Sequence, residues 1–167
     1  YANSTGFYNS AVGSGALTSN TTGSYNAANG TGALLTNTTG DANTSSGFNS
    51  MIGNVSGNGN IAYGAGALTS NSAGNSNSAA GTNSLFNNQS GNSNVAVGVA
   101  ALYNTGNRSN LAAVGDSALY NNGVGAVNPY EATANSAFGS KALYANTTGY
   151  YNTATGSNAL KNNTTGI

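Results

Sequence analysis

A glycine recurs every seventeen residues along most of this chain, and that spacing limits the folds the chain can adopt. The series is Gly13, Gly30, Gly47, Gly64, Gly81, Gly98, Gly115 and, after one interval of 24 residues, Gly139 and Gly156. An apolar residue follows each glycine by four positions: Leu17, Leu34, Met51, Leu68, Leu85, Leu102, Leu119, Leu143 and Leu160. Ala or Ser precedes each glycine by two positions, and Asn precedes most of them by four. The chain therefore repeats one unit, G-x-x-N-x-A-x-G-x-x-A-L-x-x-N-x-x, nine times.

The length and chemistry of this unit predict an all-β fold. Seventeen residues are too few for two-helix repeats, which exceed 30 residues, and abundant Asn and Gly disfavour helices. The N-x-A-x-G segment alternates with period two, which is typical of a strand, whereas N-T-T-G is typical of a turn. We predict a single parallel β-solenoid (β-roll) over residues 1–167, with about nine coils of 17 residues. Each unit would form one strand–turn–strand–turn circuit about 4.8 Å from the next.

Stacked coils place equivalent residues in columns. The leucine series would form a buried column, and the asparagines would form ladders of hydrogen-bonded amides. With so few large side chains per coil, the core of one chain is thin, which predicts a further face buried against identical chains. Candidates for that face are the apolar residues directly before the glycines: Val12, Tyr63, Ala80, Val97, Val114 and Phe138. End-to-end stacking into a filament is an alternative, because neither terminal unit has the sequence of a cap.

Two units depart from the pattern. In the seventh, Asn110 comes one residue early, which predicts a bulge offset by a shorter preceding turn. The 24-residue unit has seven extra residues near 120–135, among them the only Pro and the only Glu of the chain, Pro129 and Glu131. Because later units return to phase, these residues are expected to form a surface loop, and such loops commonly have functions on repeat scaffolds.

Composition argues against most kinds of chemistry. The chain has three basic and three acidic residues and no His or Cys, so the usual metal ligands and acid–base groups are missing. We therefore predict no enzyme activity, no cofactor and no metal site. A net charge of zero also argues against nucleic acid as a partner. The segment has no apolar run that would predict a membrane span.

Aromatic residues provide the candidate contacts with a ligand. Phe86, Tyr103, Tyr120 and Tyr144 each follow a residue of the leucine series, so they should stack on four successive coils. They either pack only on one another or form a surface ladder for a host-surface protein or a glycan. Tyr130 and Glu131, in the expected loop, form a second candidate contact.

The segments NSAVGSGAL, NVAVGVAAL and NTATGSNAL resemble the head repeats of trimeric autotransporter adhesins of the YadA type. They are also similar to the NTAxGxxAL…NTTG arrays of bacterial surface and phage tail-fibre proteins. The resemblance spans essentially the whole chain and implies a left-handed β-roll, assembly as a homotrimer and an extracellular or cell-surface location. The present unit is longer than is usual in those heads, and no stalk, neck or anchor is found in this segment.

Two functions follow as expectations. The first is a non-enzymatic extracellular fibrous protein, either a surface adhesin or a fibre segment. The alternative is a purely structural filament or a phage tail-fibre shaft whose only partner is itself. A solenoid that binds ice would need a regular Thr array, and the Thr positions change to Ser, Ala and Asn in units four to six.

Overall fold

The computed structural model describes residues 2–167, and that part of the chain consists of strands and turns without any helix. Consequently, it offers no apolar helix of the length that crosses a bilayer. The strands are β1 (Ser10–Val12), β2 (Ala27–Asn29), β3 (Thr44–Ser46), β4 (Ile61–Tyr63), β5 (Ser78–Ala80), β6 (Val95–Val97), β7 (Ala112–Val114), β8 (Ser136–Phe138) and β9 (Thr153–Thr155). They form one parallel sheet in the order β1 to β9. The predicted all-β solenoid is confirmed.

The pairing of the strands reproduces the sequence period. Ala79 of β5 lies opposite Ala96 of β6, at a separation of 17 residues. Between β7 and β8 the separation is 24 residues, and Ala113 lies opposite Ala137. The seven extra residues are accommodated outside the strands, so the register of the sheet is unchanged. A slip of one residue in the pairing would instead turn the buried alanines outward.

Each coil contains one short strand, so the predicted second strand is wrong. All nine residues of the leucine series have a left-handed backbone, with φ between 47° and 52°. This conformation interrupts the extended chain that a second strand requires. Coils are nevertheless hydrogen-bonded on this side as well, since the Leu85 N–H donates to the Ala101 carbonyl at 2.9 Å.

The core consists of narrow columns of like residues. The strand alanines form one column, and the leucine series with its preceding small residues forms another. Leu34 to Leu143 of the series are fully buried, whereas Leu160, in the last coil, is 51% exposed. The structure thus places the leucine series where the sequence predicts it, in the interior.

Two ladders of buried asparagines complete the core. In the first ladder, the Asn71 amide donates to Asn54 Oδ1 at 2.8 Å and to the Gly74 carbonyl at 3.0 Å. In the second, the Asn60 amide donates to Asn43 Oδ1 at 3.1 Å and to the same Gly74 carbonyl at 2.8 Å. Within residues 2–167, every buried side-chain nitrogen and oxygen has a hydrogen-bond partner. These hydrogen bonds offset the cost of burying so many polar side chains.

The segment between β6 and β7 has no bulge, contrary to the sequence prediction. The Leu111 N–H donates to Asn94 Oδ1 at 3.1 Å, and the Asn94 N–H donates in the same way to Asn77 Oδ1 at 3.0 Å. Leu111 therefore replaces an asparagine of the second ladder without any change of register, and it is 1% exposed. Asn110, which predicted a shift of the strand register, lies instead in the turn, one residue before the ladder position, and has a φ of 61°.

Glycines are needed where adjacent coils approach closely. Gly30 has a φ of 137°, and a Cβ there would lie 2.5 Å from the Gly47 carbonyl oxygen. A second column of glycines runs from Gly6 and Gly23 to Gly166, with Arg108 and Ala132 at two of its positions. At Gly40 of this column a Cβ would lie 2.5 Å from the Gly57 oxygen. The second column excludes side chains by lack of space rather than by its backbone angle.

Candidate functional site

The departures from the repeat cluster on one side of the solenoid, around the inserted loop, which we define as residues 123–131. These nine residues connect Asn122 to Ala132, where a regular coil has only two residues between the corresponding Asn and Gly. The adjacent segment between β6 and β7 has Thr105, Arg108 and Leu111 in place of Asn, Gly and Asn. Residues that depart from the repeat in two separate segments, 105–111 and 123–131, therefore lie next to each other in the structure.

Arg108 occupies a position of the second glycine column. Ala132, which occupies that position in the next coil, has a φ of 56°, a left-handed backbone that the glycines of this column do not adopt. The chain thus takes a different path past Arg108. The guanidinium donates from Nη1 to the Asn128 carbonyl at 2.8 Å and from Nη2 to the Ala126 carbonyl at 2.7 Å. Arg108 therefore holds the inserted loop against the neighbouring coil.

Glu131 orders the same loop from within. Its carboxylate accepts the Val127 N–H at 2.7 Å, the Asn128 N–H at 3.0 Å and the Asn128 side-chain amide at 2.8 Å. The hydrogen bonds from the Asn128 backbone and side chain and from the Val127 backbone lower the pKa of Glu131, and the positive charge of Arg108 adds to the effect. The carboxylate is thus ionised and hydrogen-bonded at neutral pH.

Tyr130 projects from the end of the loop into an aromatic cluster. Its ring packs edge-on against Tyr150 with centroids 5.5 Å apart, and Tyr150 packs in the same manner on Tyr151 at 5.4 Å. The Thr133 hydroxyl donates to the Tyr130 carbonyl at 2.6 Å. Tyr130 is 57% exposed, so its ring is held in place while much of its surface faces solvent.

Two adjoining depressions lie beside the loop. The larger has a volume of about 470 Å³ and is lined by Asn107 and Arg108 and by Ala126, Val127 and Pro129 of the inserted loop. The smaller has a volume of about 210 Å³ and is lined by the amides of Asn87, Gln89 and Asn104. Gly106 and Gly123 border both. We call the two depressions together the loop groove.

The aromatic ladder predicted from the sequence forms a continuous stack. Phe86 lies 5.0 Å from Tyr103, Tyr103 lies 5.0 Å from Tyr120, and Tyr120 lies 5.2 Å from Tyr144, with rings within 15° of parallel. All four side chains are half-buried. Each of the two central rings, Tyr103 and Tyr120, has both faces covered by neighbouring rings, so a ligand would meet only their edges.

The outward face of the sheet is apolar over its central part. Ile61 and Tyr63 of β4, Val95 and Val97 of β6, and Phe138 of β8 are each more than 40% exposed. Across β1–β9, none of the outward side chains is charged. This face, which we call the outer sheet face, includes the residues that the sequence analysis assigned to contacts between chains.

Tyr130 and Glu131 were predicted from the sequence as contact residues, whereas Arg108, Asn107 and Gly106 were not. The available signal was the arginine itself, which stands at a position that is glycine in eight other copies of the repeat. The structure does not bring the aromatic ladder and Tyr130 into one site. In the portion from residue 2 onward, no three His, Cys, Asp or Glu side chains come together in a way that could hold a metal ion.

Comparison of the chain with profiles of known protein families, with curated protein sequences and with solved structures gave no match in any of the three.

Proposed function

We propose that this chain is a segment of a non-enzymatic extracellular fibre, acting as a surface adhesin or as the shaft of such a fibre. The observation that supports the proposal best is the continuous stack of nine coils. Backbone pairing, two amide ladders and a leucine column all run along one axis. Each coil contacts mainly its neighbours, as in other solenoids, and such an architecture produces a stiff rod.

We further propose that the rod associates with identical chains through the outer sheet face. Exposed β-branched and aromatic side chains without charges are unusual on a protein that remains monomeric. Burial of this face would add to the thin core of the single chain. A homotrimer agrees with the resemblance to trimeric adhesin heads, and a filament of stacked chains is the second arrangement.

A purely structural role is the alternative function. The half-buried aromatic ladder favours it, because rings that stack face to face stabilise the rod and leave little surface for a ligand. In this case self-association would be the only interaction of the chain.

Electron microscopy of the purified chain, combined with sedimentation equilibrium, tests these proposals. Rods with the axial spacing of stacked strands and a mass of three chains would support the adhesin head. Long filaments that grow with concentration would support the structural alternative. Compact monomers at high micromolar concentration would contradict both forms of self-association.

A further inference from the structure

The loop groove combines residues that break the repeat, open volume and hydrogen-bonding side chains in one place. Its larger depression, of about 470 Å³, is within the range of pockets that bind small molecules. The walls of this depression do not depend on a flexible loop, since Arg108 and Glu131 fix the loop with five hydrogen bonds. A preformed groove loses little entropy when a ligand binds.

The groove is lined by both polar and apolar side chains. Arg108 has five N–H donors, of which two bind loop carbonyls, so others remain for a ligand. Asn107 adds an exposed amide, and the smaller depression adds Gln89, Asn87 and Asn104. The Asn87 amide donates to Asn104 Oδ1 at 2.8 Å, which leaves the Asn104 N–H groups and the Asn87 carbonyl for a ligand. The larger depression is also lined by the apolar side chains of Val127, which is 85% exposed, and Pro129.

From this arrangement we propose that the loop groove binds a short saccharide. Hydroxyl groups along one edge of a sugar ring both donate and accept hydrogen bonds, and side-chain amides do the same. The C–H face of the ring would pack on Val127 and Pro129. This inference goes beyond the fibre proposal and is independent of self-association, because the groove lies on one chain.

A peptide fits the groove less well. Extended peptides commonly bind by adding a strand to a free sheet edge, and next to the groove β7 is paired on both sides, with β6 and with β8. The groove also has no cluster of like charges that would select an acidic or a basic peptide, because Glu131 lies near the single Arg108.

The glycines of the groove and the loop allow a matched test. A Cβ at Gly106, which has a φ of 58°, would have no atom within 4 Å, and Gly106 borders both depressions. Asn tolerates this backbone angle, so Gly106→Asn should obstruct the groove without disturbing the Arg108 bonds. Gly125 also has a positive φ and open space around its Cβ but lines neither depression, so Gly125→Asn is the control.

The experiment is an NMR titration of amide chemical shifts with the methyl glycosides of glucose, galactose, mannose and N-acetylglucosamine. Glucuronic acid, N-acetylneuraminic acid and a casein-derived peptide mixture are titrated in parallel. At least one sugar is expected to shift amides of residues 104–108 and 123–129 at millimolar concentration. Gly106→Asn should weaken that binding by about tenfold or more, and Gly125→Asn should leave it unchanged.

The acidic sugars distinguish the role of Arg108. Tighter binding of the two acids than of neutral sugars would show that the guanidinium binds a carboxylate, and equal binding would show that it binds hydroxyls. The proposal is overturned if no sugar in the panel binds, if the shifts lie elsewhere on the rod, if Gly106→Asn has no effect, or if only the peptides bind the groove.

Discussion

Among single residues, the leucine series combines burial with backbone strain. A non-glycine residue in the left-handed region costs about 1–2 kcal/mol, and each of the nine residues of this series adopts it. Complete burial of a leucine side chain contributes about 1.5–3 kcal/mol. Burial therefore offsets the strain at Leu34 and at the other fully buried members, and the turn can bring a large side chain into a narrow core.

The leucine column leads to a prediction with a control in the same column. Leu85→Ala should lower the free energy of unfolding by about 2–5 kcal/mol, because the fully buried side chain would leave a cavity between two coils. Leu160→Ala should lower it by less than about 1 kcal/mol, since that side chain is half exposed. Urea denaturation of both variants measures the difference, and equal losses would argue against the buried column.

The amide ladders lead to a second prediction. Asn71 binds Asn54, Gly74 and Asn88 through three hydrogen bonds in the interior. Asn71→Ala removes all three bonds and leaves the buried Asn54 Oδ1 without a donor, so it should cost about 1–3 kcal/mol. The Gly74 carbonyl and the Asn88 amide each keep one other partner, Asn60 and Gly91. Asn58→Ala removes an exposed amide whose partners can bind water instead, so it should cost less. Thermal unfolding followed by circular dichroism compares the two variants.

For the coil as an element, the close approach of neighbouring backbones limits which residues are allowed. Gly40→Ala would place a Cβ against the Gly57 carbonyl, so we expect coils to separate locally and stability to fall by about 1–3 kcal/mol. Gly125→Asn, in the inserted loop, meets no neighbouring atom and should change stability by under about 1 kcal/mol, because asparagine tolerates the left-handed backbone at this position. Hydrogen exchange at the amides of residues 38–41 would show the separation; unchanged protection there would contradict it.

The inserted loop has a pH dependence that can be derived from Glu131. The native pKa of this carboxyl is lower than its ordinary value of 4.5, so the ionised form favours the ordered loop. The stabilisation is complete above pH values near the ordinary pKa and is lost as the pH falls through the lower native pKa. Exchange of the Val127 and Asn128 amides should accelerate over that range. In Glu131→Gln, the exchange rates of these two amides, corrected for intrinsic rates, should not depend on pH. If the variant still shows faster exchange in acid, another group is responsible for the change.

For the whole molecule, the outer sheet face leads to a prediction about assembly. Tyr63→Lys with Val97→Lys places two charges in the centre of the apolar face, and the cost of burying them should prevent association. Asn29→Lys, at the corresponding position of β2, lies outside the apolar part and should not. Sedimentation velocity of the two variants measures the outcome. If the double variant associates like the unmodified chain, the interface lies elsewhere.

Much of the architecture could be predicted because it repeats. The spacing of Gly13, Gly30 and their equivalents predicted the register, the leucine series predicted the buried column, and the return to phase after Pro129 predicted a surface loop. The prediction of a bulge near Asn110 was wrong because Asn110 looks, in the sequence, like a residue of the second asparagine ladder that comes one position early. In the structure Leu111 takes the ladder position through its backbone N–H, a role that any residue except proline can fill.

The sequence alone determined the period, and with it the stacking of coils, because a side chain repeated at constant spacing can be buried only beside its own copies. Only the tertiary structure decided how the irregular residues combine. Arg108 and Asn128 are 20 residues apart, and their hydrogen bond depends on the path of a loop that no repeat constrains. The left-handed backbone of the leucine series could not be predicted either. A pattern of side chains indicates which residues are buried, but it does not indicate the backbone angles at those residues.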